Sequence, residues 1–272
     1  MDTMLFRNSR RKLSQGLLFW REVGNGTPVV FLHGAWCDSS EWVSTMEFMS
    51  RDFHCFAPDL LGFGESEYPD IHHAIDLHVD CLAEFLQALK LDKIYLVGHS
   101  LGGWIAASCA LKYPEKFQGL VLLSPEGVEI DGLQKRWHKM RGLIKASSLK
   151  FRLLQIFRPL IKIFGWDINV EEDLQQRRIL LEYPTASKLL YQRQLRELEA
   201  ELLQDKLDLI QVPVLVVQGG KDTPDALTRS KIYARLTPQA ELKMIARGED
   251  NLPQSCAFEV AQEIKDFLKR YK

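Results

Sequence analysis

Short runs of β-branched, aromatic and aliphatic residues, each closed by glycine or proline, recur at 16–23, 28–32, 53–57, 93–98, 119–123, 212–218 and 241–246, and they predict strands. Between most of them lie stretches with helical patterning, near 40–50, 74–90, 101–113, 226–236 and 257–270. Strands that alternate with helices imply an α/β fold around a mostly parallel central sheet with crossover connections. Gly24-Asn25-Gly26, between the first two runs, predicts an antiparallel hairpin at the edge of that sheet. From about Glu126 to Asp208 the alternation stops and the residues read as helix formers. This predicts a core made of 1–125 and 209–272, with a helical cap inserted as 126–208. No internal repeat or low-complexity tract interrupts the pattern.

Composition changes this picture little. A chain of 272 residues, 46% hydrophobic and 26% charged, fits one large α/β domain with an insertion. With 35 basic against 36 acidic residues, no global charge draws it to nucleic acid. Cys37, Cys55, Cys81, Cys109 and Cys256 are an odd, scattered set without C-x-x-C spacing, which suits reduced thiols in a cytoplasmic protein and no metal cluster. The arginines of Ser9-Arg10-Arg11 are followed by only Gly16-Leu17-Leu18-Phe19-Trp20 before Arg21, too short an apolar core for a signal peptide. No run approaches the roughly 18 apolar residues of a membrane-spanning helix. The expectation is a soluble protein. His72, His73 and His78 lie among Asp70, Asp76 and Asp80, but their spacing suits no tetrahedral metal set.

Candidate chemistry begins at Gly98-His99-Ser100-Leu101-Gly102, directly after Ile94-Tyr95-Leu96-Val97 and before a helical pattern. Strand, small-residue turn and helix in that order form a nucleophile elbow, which lifts a serine hydroxyl above the edge of a sheet. His33-Gly34-Ala35-Trp36 follows an earlier strand, Pro58-Asp59-Leu60-Leu61-Gly62-Phe63-Gly64-Glu65-Ser66 follows another, and Pro213 to Asp222 runs from a strand into Gly219-Gly220-Lys221-Asp222. Through these four ordered motifs the chain resembles the α/β-hydrolase superfamily over nearly its whole length, in its capped esterase and lipase-like branch. The resemblance implies a cap inserted after the strand that the family counts as its sixth, here the run at 119–123, fifth of those read above. It implies Ser100 as nucleophile, the N–H groups of Ala35 and Leu101 as the oxyanion hole, and Asp222 as the acid that orients a histidine. Trp36, His99 and Glu126 fall where substrate would be bound, and the chemistry asks for neither cofactor nor metal. His33 and His99 also read as structural histidines, the first organising its loop and the second pointing away from Ser100.

The histidine itself is missing. The family places it after the last strand in a segment like G-x-G-H-x-P, whereas this chain reads Ala246-Arg247-Gly248-Glu249-Asp250-Asn251-Leu252-Pro253. The proline aligns Asn251 with the histidine, and counting back from Val260, Ile264, Phe267 and Leu268 selects Asp250. Neither is an imidazole, and an amide has no basic lone pair to take the serine proton. Three readings stand open: an introduced substitution at Asn251, recruitment of another base among Asp250, Glu249, Glu126 and His138, or ligand binding without turnover.

The predicted cap holds one further pattern. Between Gly132 and Gly165 stand nine basic residues, Lys135, Arg136, Lys139, Arg141, Lys145, Lys150, Arg152, Arg158 and Lys162, and no acidic one, interleaved with apolar residues from Trp137 to Phe164. Such a segment suits peripheral contact with an anionic membrane or admission of an acyl chain, and equally a cap helix with a solvated basic face. The expected ligand is a small apolar ester or other acyl compound.

Overall fold

The computed structural model describes residues 5–147 and 170–271. Its sheet contains β1 Arg7–Lys12, β2 Leu17–Val23, β3 Thr27–Leu32, β4 Phe53–Pro58, β5 Ile94–His99, β6 Phe117–Leu123, β7 Val214–Gly219 and β8 Ala240–Ile245, in the order β1-β2-β4-β3-β5-β6-β7-β8. The pairs from β4 through β8 are parallel, while β1 with β2 and β2 with β4 are antiparallel. The fold class is α/β, as the alternation implies.

Two differences from the sequence reading have local causes. The expected hairpin of the first two runs does not form, because β4 lies between β2 and β3. Gly24 and Gly26, at φ of 83° and 107°, carry the chain over the backbone at 50–53. A Cβ on Gly24 would stand 2.3 Å from the Phe53 carbonyl oxygen, so these glycines serve a crossing and not a two-residue turn. The strand β1 was missed because Arg7-Asn8-Ser9-Arg10-Arg11-Lys12 has no apolar alternation. It exists through its ladder to β2 and through surface pairs of Arg7 with Glu22, Arg10 with Glu65 and Lys12 with Glu67.

Side-chain alternation builds the core. Register places Val29 beside Tyr95, Val97 beside Val121 and Val121 beside Leu215, and this face packs with Trp42, Met46, Met49, Val260, Ile264 and Phe267 in one buried cluster. These last residues come from the helices Val43–Met49 and Ala257–Arg270 and the short 3₁₀ turn Ser39–Trp42. The opposite face is covered by the helix Leu101–Lys112 against β3, β5 and β6, and by the helix Pro224–Leu236 against β7 and β8. A fully buried aliphatic or aromatic side chain contributes roughly 1.5–3 kcal/mol, so this two-sided layer carries most of the stability that fixes the strand ends.

The chain divides into two compact units, residues 1–130 with 201–272, and residues 131–200, where the sequence reading set the insertion at 126–208. In the second unit the helix Leu133–Lys145 packs on the helix Val170–Glu182. There Arg141 lies 4.7 Å over the Trp137 ring and donates to the carbonyls of Gln192 and Arg193, and Lys139 pairs with Asp173 at 3.1 Å. The basic residues Lys150, Arg152, Arg158 and Lys162 lie outside the described residues. Among the described residues no helix is long and apolar enough to cross a membrane.

Candidate active site

Ser100 stands between β5 and the helix Leu101–Lys112 at φ 51° and ψ −111°, a backbone region that costs a non-glycine residue about 1–3 kcal/mol. The surroundings hold it there. Its N–H donates to the Leu123 carbonyl at 2.9 Å, and its own carbonyl accepts the N–H groups of Trp104 at 3.2 Å and Glu126 at 3.1 Å. The turn is also too tight for side chains: a Cβ on Gly98 would meet the Gly102 carbonyl oxygen at 2.3 Å, and one on Gly102 the Leu32 carbonyl oxygen at 2.3 Å. The half-buried Ser100 thus sits at a strained tip.

The same closeness brings the loop after β3 against the elbow, since a Cβ on Gly102 would also lie 2.7 Å from the His33 carbonyl oxygen. Ala35 and Leu101 are buried, and Leu101 opens its helix, where N–H groups lack intrahelical acceptors. No acceptor takes either N–H among the described residues. His33 is fully buried, with Nδ1 2.7 Å from the Gly34 carbonyl and Nε2 accepting the Leu60 N–H at 3.0 Å, which requires the proton on Nδ1. Asp59 is a loop organiser too, accepting from the N–H groups of Ser39 and Glu65 at 2.7 Å each. Trp36 is half-buried in the same loop.

Asp222 follows β7. Its Oδ2 accepts from the Ser124 hydroxyl at 3.0 Å and the Gln218 amide at 2.9 Å, and its Oδ1 accepts from the Thr223 N–H at 2.6 Å. Gln218 is fully buried and held in turn by the Ser230 hydroxyl at 2.6 Å, so the carboxylate is oriented from behind. Backbone bonds lay its loop beside the one after β8: Gly220 N–H to Ile245 at 2.9 Å and Lys221 N–H to Gly248 at 2.9 Å. Asn251 is exposed and opens the helical turn Leu252–Ser255, while its carbonyl takes the N–H groups of Gln254 and Ser255. Glu249 and Asp250 are exposed as well. The elbow, the acid loop and the Asn251 loop therefore meet, and no histidine stands on the last of them.

The other named residues have their own partners. Glu126 pairs with the buried Arg229 at 3.1 Å, and its carbonyl accepts from the Tyr233 hydroxyl at 2.7 Å. His138 is exposed in the unit 131–200. His99 is buried, touches Glu41 through Nδ1 and lies 2.8 Å from the Asp250 carbonyl through Nε2. Glu41 was missed from sequence, although a charge sharing the i, i+4, i+8 stripe of Thr45 and Met49 was the available signal. Cys37 donates its thiol to Glu41 at 2.8 Å, and burial followed by the Glu41 charge pushes that thiol far up, so it stays neutral and unreactive. Among the described residues no three His, Cys, Asp or Glu side chains converge as a metal would require.

Known proteins fit this geometry. A family model described as the alpha/beta hydrolase fold matches residues 27–252. The chain is 39% identical over 115 residues to a mouse (Mus musculus) protein named 1-acylglycerol-3-phosphate O-acyltransferase ABHD5, covering 41% of this chain and 33% of that one. It is 38% identical over 126 residues to a 2-hydroxy-6-oxo-2,4-heptadienoate hydrolase of Pseudomonas putida, covering 43% and 45%. Each match thus spans less than half the length of the relative. A longer match, 31% identical over 251 residues and covering 86% and 72%, is to an uncharacterized protein of Mycobacterium bovis. Among solved structures, a thermophilic esterase from Thermogutta terrifontis superposes with a TM-score of 0.74 over 97% of this chain and 99% of its own, at 22% identity, which speaks to the fold alone. The chain belongs to the α/β-hydrolase fold family.

Proposed function

We propose that this chain is a serine hydrolase scaffold of the esterase type, acting through Ser100 on an apolar carboxylic ester or other acyl compound, with Asn251 in the place of the general base. One observation carries the reading: Ser100 keeps its hydroxyl at φ 51° and ψ −111° on the tip between strand and helix, where Gly98 and Gly102 leave no room for a Cβ, a geometry that serves exposure of a nucleophile. In this reading Ser100 Oγ attacks the acyl carbonyl and the N–H groups of Ala35 and Leu101 receive the developing oxyanion. The substrate alkoxide then leaves with the serine proton, and the acyl group stays on Ser100 until water or a second alcohol takes it. Relatives named as an O-acyltransferase and as a hydrolase support transfer to an oxygen nucleophile or to water. Asp222, oriented by three donors, suits an imidazolium partner that Asn251 cannot supply. Loss of the histidine in a related serine site costs on the order of 10⁶ in turnover, which leaves the residual rate from the oxyanion hole and binding.

The test is the labelling rate of Ser100 by a fluorophosphonate probe, with Ser100→Ala as blank and Asn251→His as comparison. Slow labelling of the unmodified chain that accelerates in Asn251→His supports the reading. Fast labelling of the unmodified chain moves the base to Glu126, Asp250, Glu249 or His138. Labelling no faster than the blank in either chain overturns the reading and leaves a protein that binds an apolar or lipid ligand without turnover, which the presence of Asn251 favours. The acid-free basic run 132–165 supports peripheral contact with anionic lipid, and absence of co-sedimentation with anionic vesicles at low salt would sink that part.

A further inference from the structure

A charged pair lies buried beneath the serine, and no step of acyl transfer as described uses it. Glu41 and His99 are 3% and 9% exposed and touch through Oε1 and Nδ1. An unpaired charge at such depth is expensive, and even a pair repays its desolvation only with further hydrogen bonds. Those bonds are present, and they go to the backbone of the site. Glu41 Oε2 accepts the Gly34 N–H at 2.9 Å, one residue before the Ala35 N–H of the oxyanion loop. His99, one residue before Ser100, donates through Nε2 to the Asp250 carbonyl at 2.8 Å, one residue before Asn251. Contact is close enough that a Cβ on Gly34 would stand 3.1 Å from His99 Nδ1.

Strand alternation explains the direction of His99. Tyr95, Val97 and His99 share one face of β5, the face that packs with Trp42 and Met46, while the elbow turns Ser100 out of the strand. Burial alone would push the His99 imidazole down, but the charge and hydrogen bond of Glu41, the Asp250 carbonyl and the more distant Asp222 outweigh it and raise it. Burial would likewise raise Glu41, but His99, the Cys37 thiol and the Gly34 N–H hold it below the usual carboxylate range.

We propose that the Glu41–His99 pair is a positioning clamp for the serine site, fixing the oxyanion loop 33–37 and the loop 248–251 in register about the elbow. The clamp rests on the reading of Ser100 as the acylated nucleophile, and it gives both residues, buried at 3% and 9% exposure, a positioning role in place of the substrate contact expected of His99. Three segments distant in sequence converge on this single pair, one residue short of Ala35, Ser100 and Asn251 in turn. A mere core ion pair, one member of it next to the serine, has no reason to bond the backbone of two separate loops.

The test joins a structural readout to a reactivity readout in the unmodified chain and in Asn251→His. The variants are Glu41→Gln, His99→Gln and the double variant. The measurements are backbone amide exchange by mass spectrometry over 33–37 and 246–255, with β7 as internal reference, and fluorophosphonate labelling with Ser100→Ala as blank. Each single variant is expected to speed exchange at least tenfold in both segments, to leave β7 unchanged, and to slow labelling at least tenfold. The double variant, whose two amides can rebuild a neutral chain from Gly34 to Asp250, is expected to recover most of both losses, a coupling that independent residues do not show. Faster exchange confined to 33–37, an equal rise in β7, or unchanged labelling would each overturn the clamp. If Ser100 labels no faster than the blank in every background, the proposed function fails, and amide exchange still decides the clamp.

Discussion

A serine hydroxyl attacks a carbonyl at a useful rate only while a neighbouring group takes its proton, and the difference between Asn251 and histidine is that proton acceptor. In the proposed reading the nucleophile and the acid are both present. Asp222 receives three hydrogen bonds, and its loop is bonded to the loop that carries Asn251. Asn251→His should therefore raise ester hydrolysis and fluorophosphonate labelling by on the order of 10²–10⁴, the usual worth of a positioned general base. Asp222→Asn in that background should remove most of the gain, because the carboxylate holds the tautomer and stabilises the imidazolium. Steady-state rates with a short-chain nitrophenyl ester measure both. A rate unchanged by Asn251→His would place the histidine slot elsewhere, with Asp250 the next position to convert.

At the scale of elements, the turn at Ser100 and the helix start at Thr223 are built from backbone demands that the residues reveal to different degrees. Thr223 caps the helix Pro224–Leu236, its hydroxyl accepting the Ala226 N–H at 3.2 Å with Pro224 in the first turn. Thr223→Ala should cost about 1 kcal/mol and lower the melting temperature by roughly 2–4 °C, read by differential scanning calorimetry, while ester hydrolysis in Asn251→His changes little. Gly98→Ala is a harsher change. Its methyl meets backbone atoms 2.3–2.7 Å away that cannot step aside, so destabilisation should reach or pass the top of the ~1–3 kcal/mol range of overpacking. Denaturant titration of the two proteins checks it, and a Gly98→Ala chain as stable as its parent would contradict the close packing of the elbow. These elements were legible in sequence because each uses residues that nothing else explains: glycines on both sides of a serine, and an aspartate after a strand ending in glycine. The strand β1 was not, since a polar edge strand is made by its partner and carries no period of its own. The insertion of β4 beside β2 was also hidden, because Gly24 and Gly26 signal a positive φ without saying whether the chain turns back or crosses over. Glu41 shows a third limit, for one of two glutamates in the same stretch lies under the serine while the other, Glu47, is exposed.

For the whole molecule, buried ionisable groups set the response to pH. His78 is 1% exposed, lies 5.8 Å from the stacked ring of His73, and is pushed down to about 3 by burial and then by the neighbouring His73 and His33. The folded chain keeps it neutral, whereas the unfolded chain takes up a proton below the ordinary imidazole value near 6.5. Its contribution is therefore present above pH 6.5 and is lost as pH falls toward 3, at about 1 kcal/mol per pH unit for one proton. His54, lowered by burial, adds to this loss near neutrality. Glu41, held below its usual value, adds a second loss once the unfolded glutamate protonates near 4.5. His99 acts in the opposite sense. Its raised value makes its contribution complete below 6.5 and lost as pH rises through the folded value, so it contributes no slope on the acid side. Unfolding free energy should then decline from pH 6.5 downward and steepen below 4.5. Urea titrations at half-unit steps from pH 7.5 to 4 measure this, and the comparison of the unmodified chain with His78→Phe isolates one residue. The variant, whose ring takes up no proton, should lose about 1 kcal/mol less per pH unit between 6 and 4.5. Parallel curves for the two proteins would mean that His78 is protonated with its surroundings in the folded state, and that the acid limb belongs to His54 and the carboxylates.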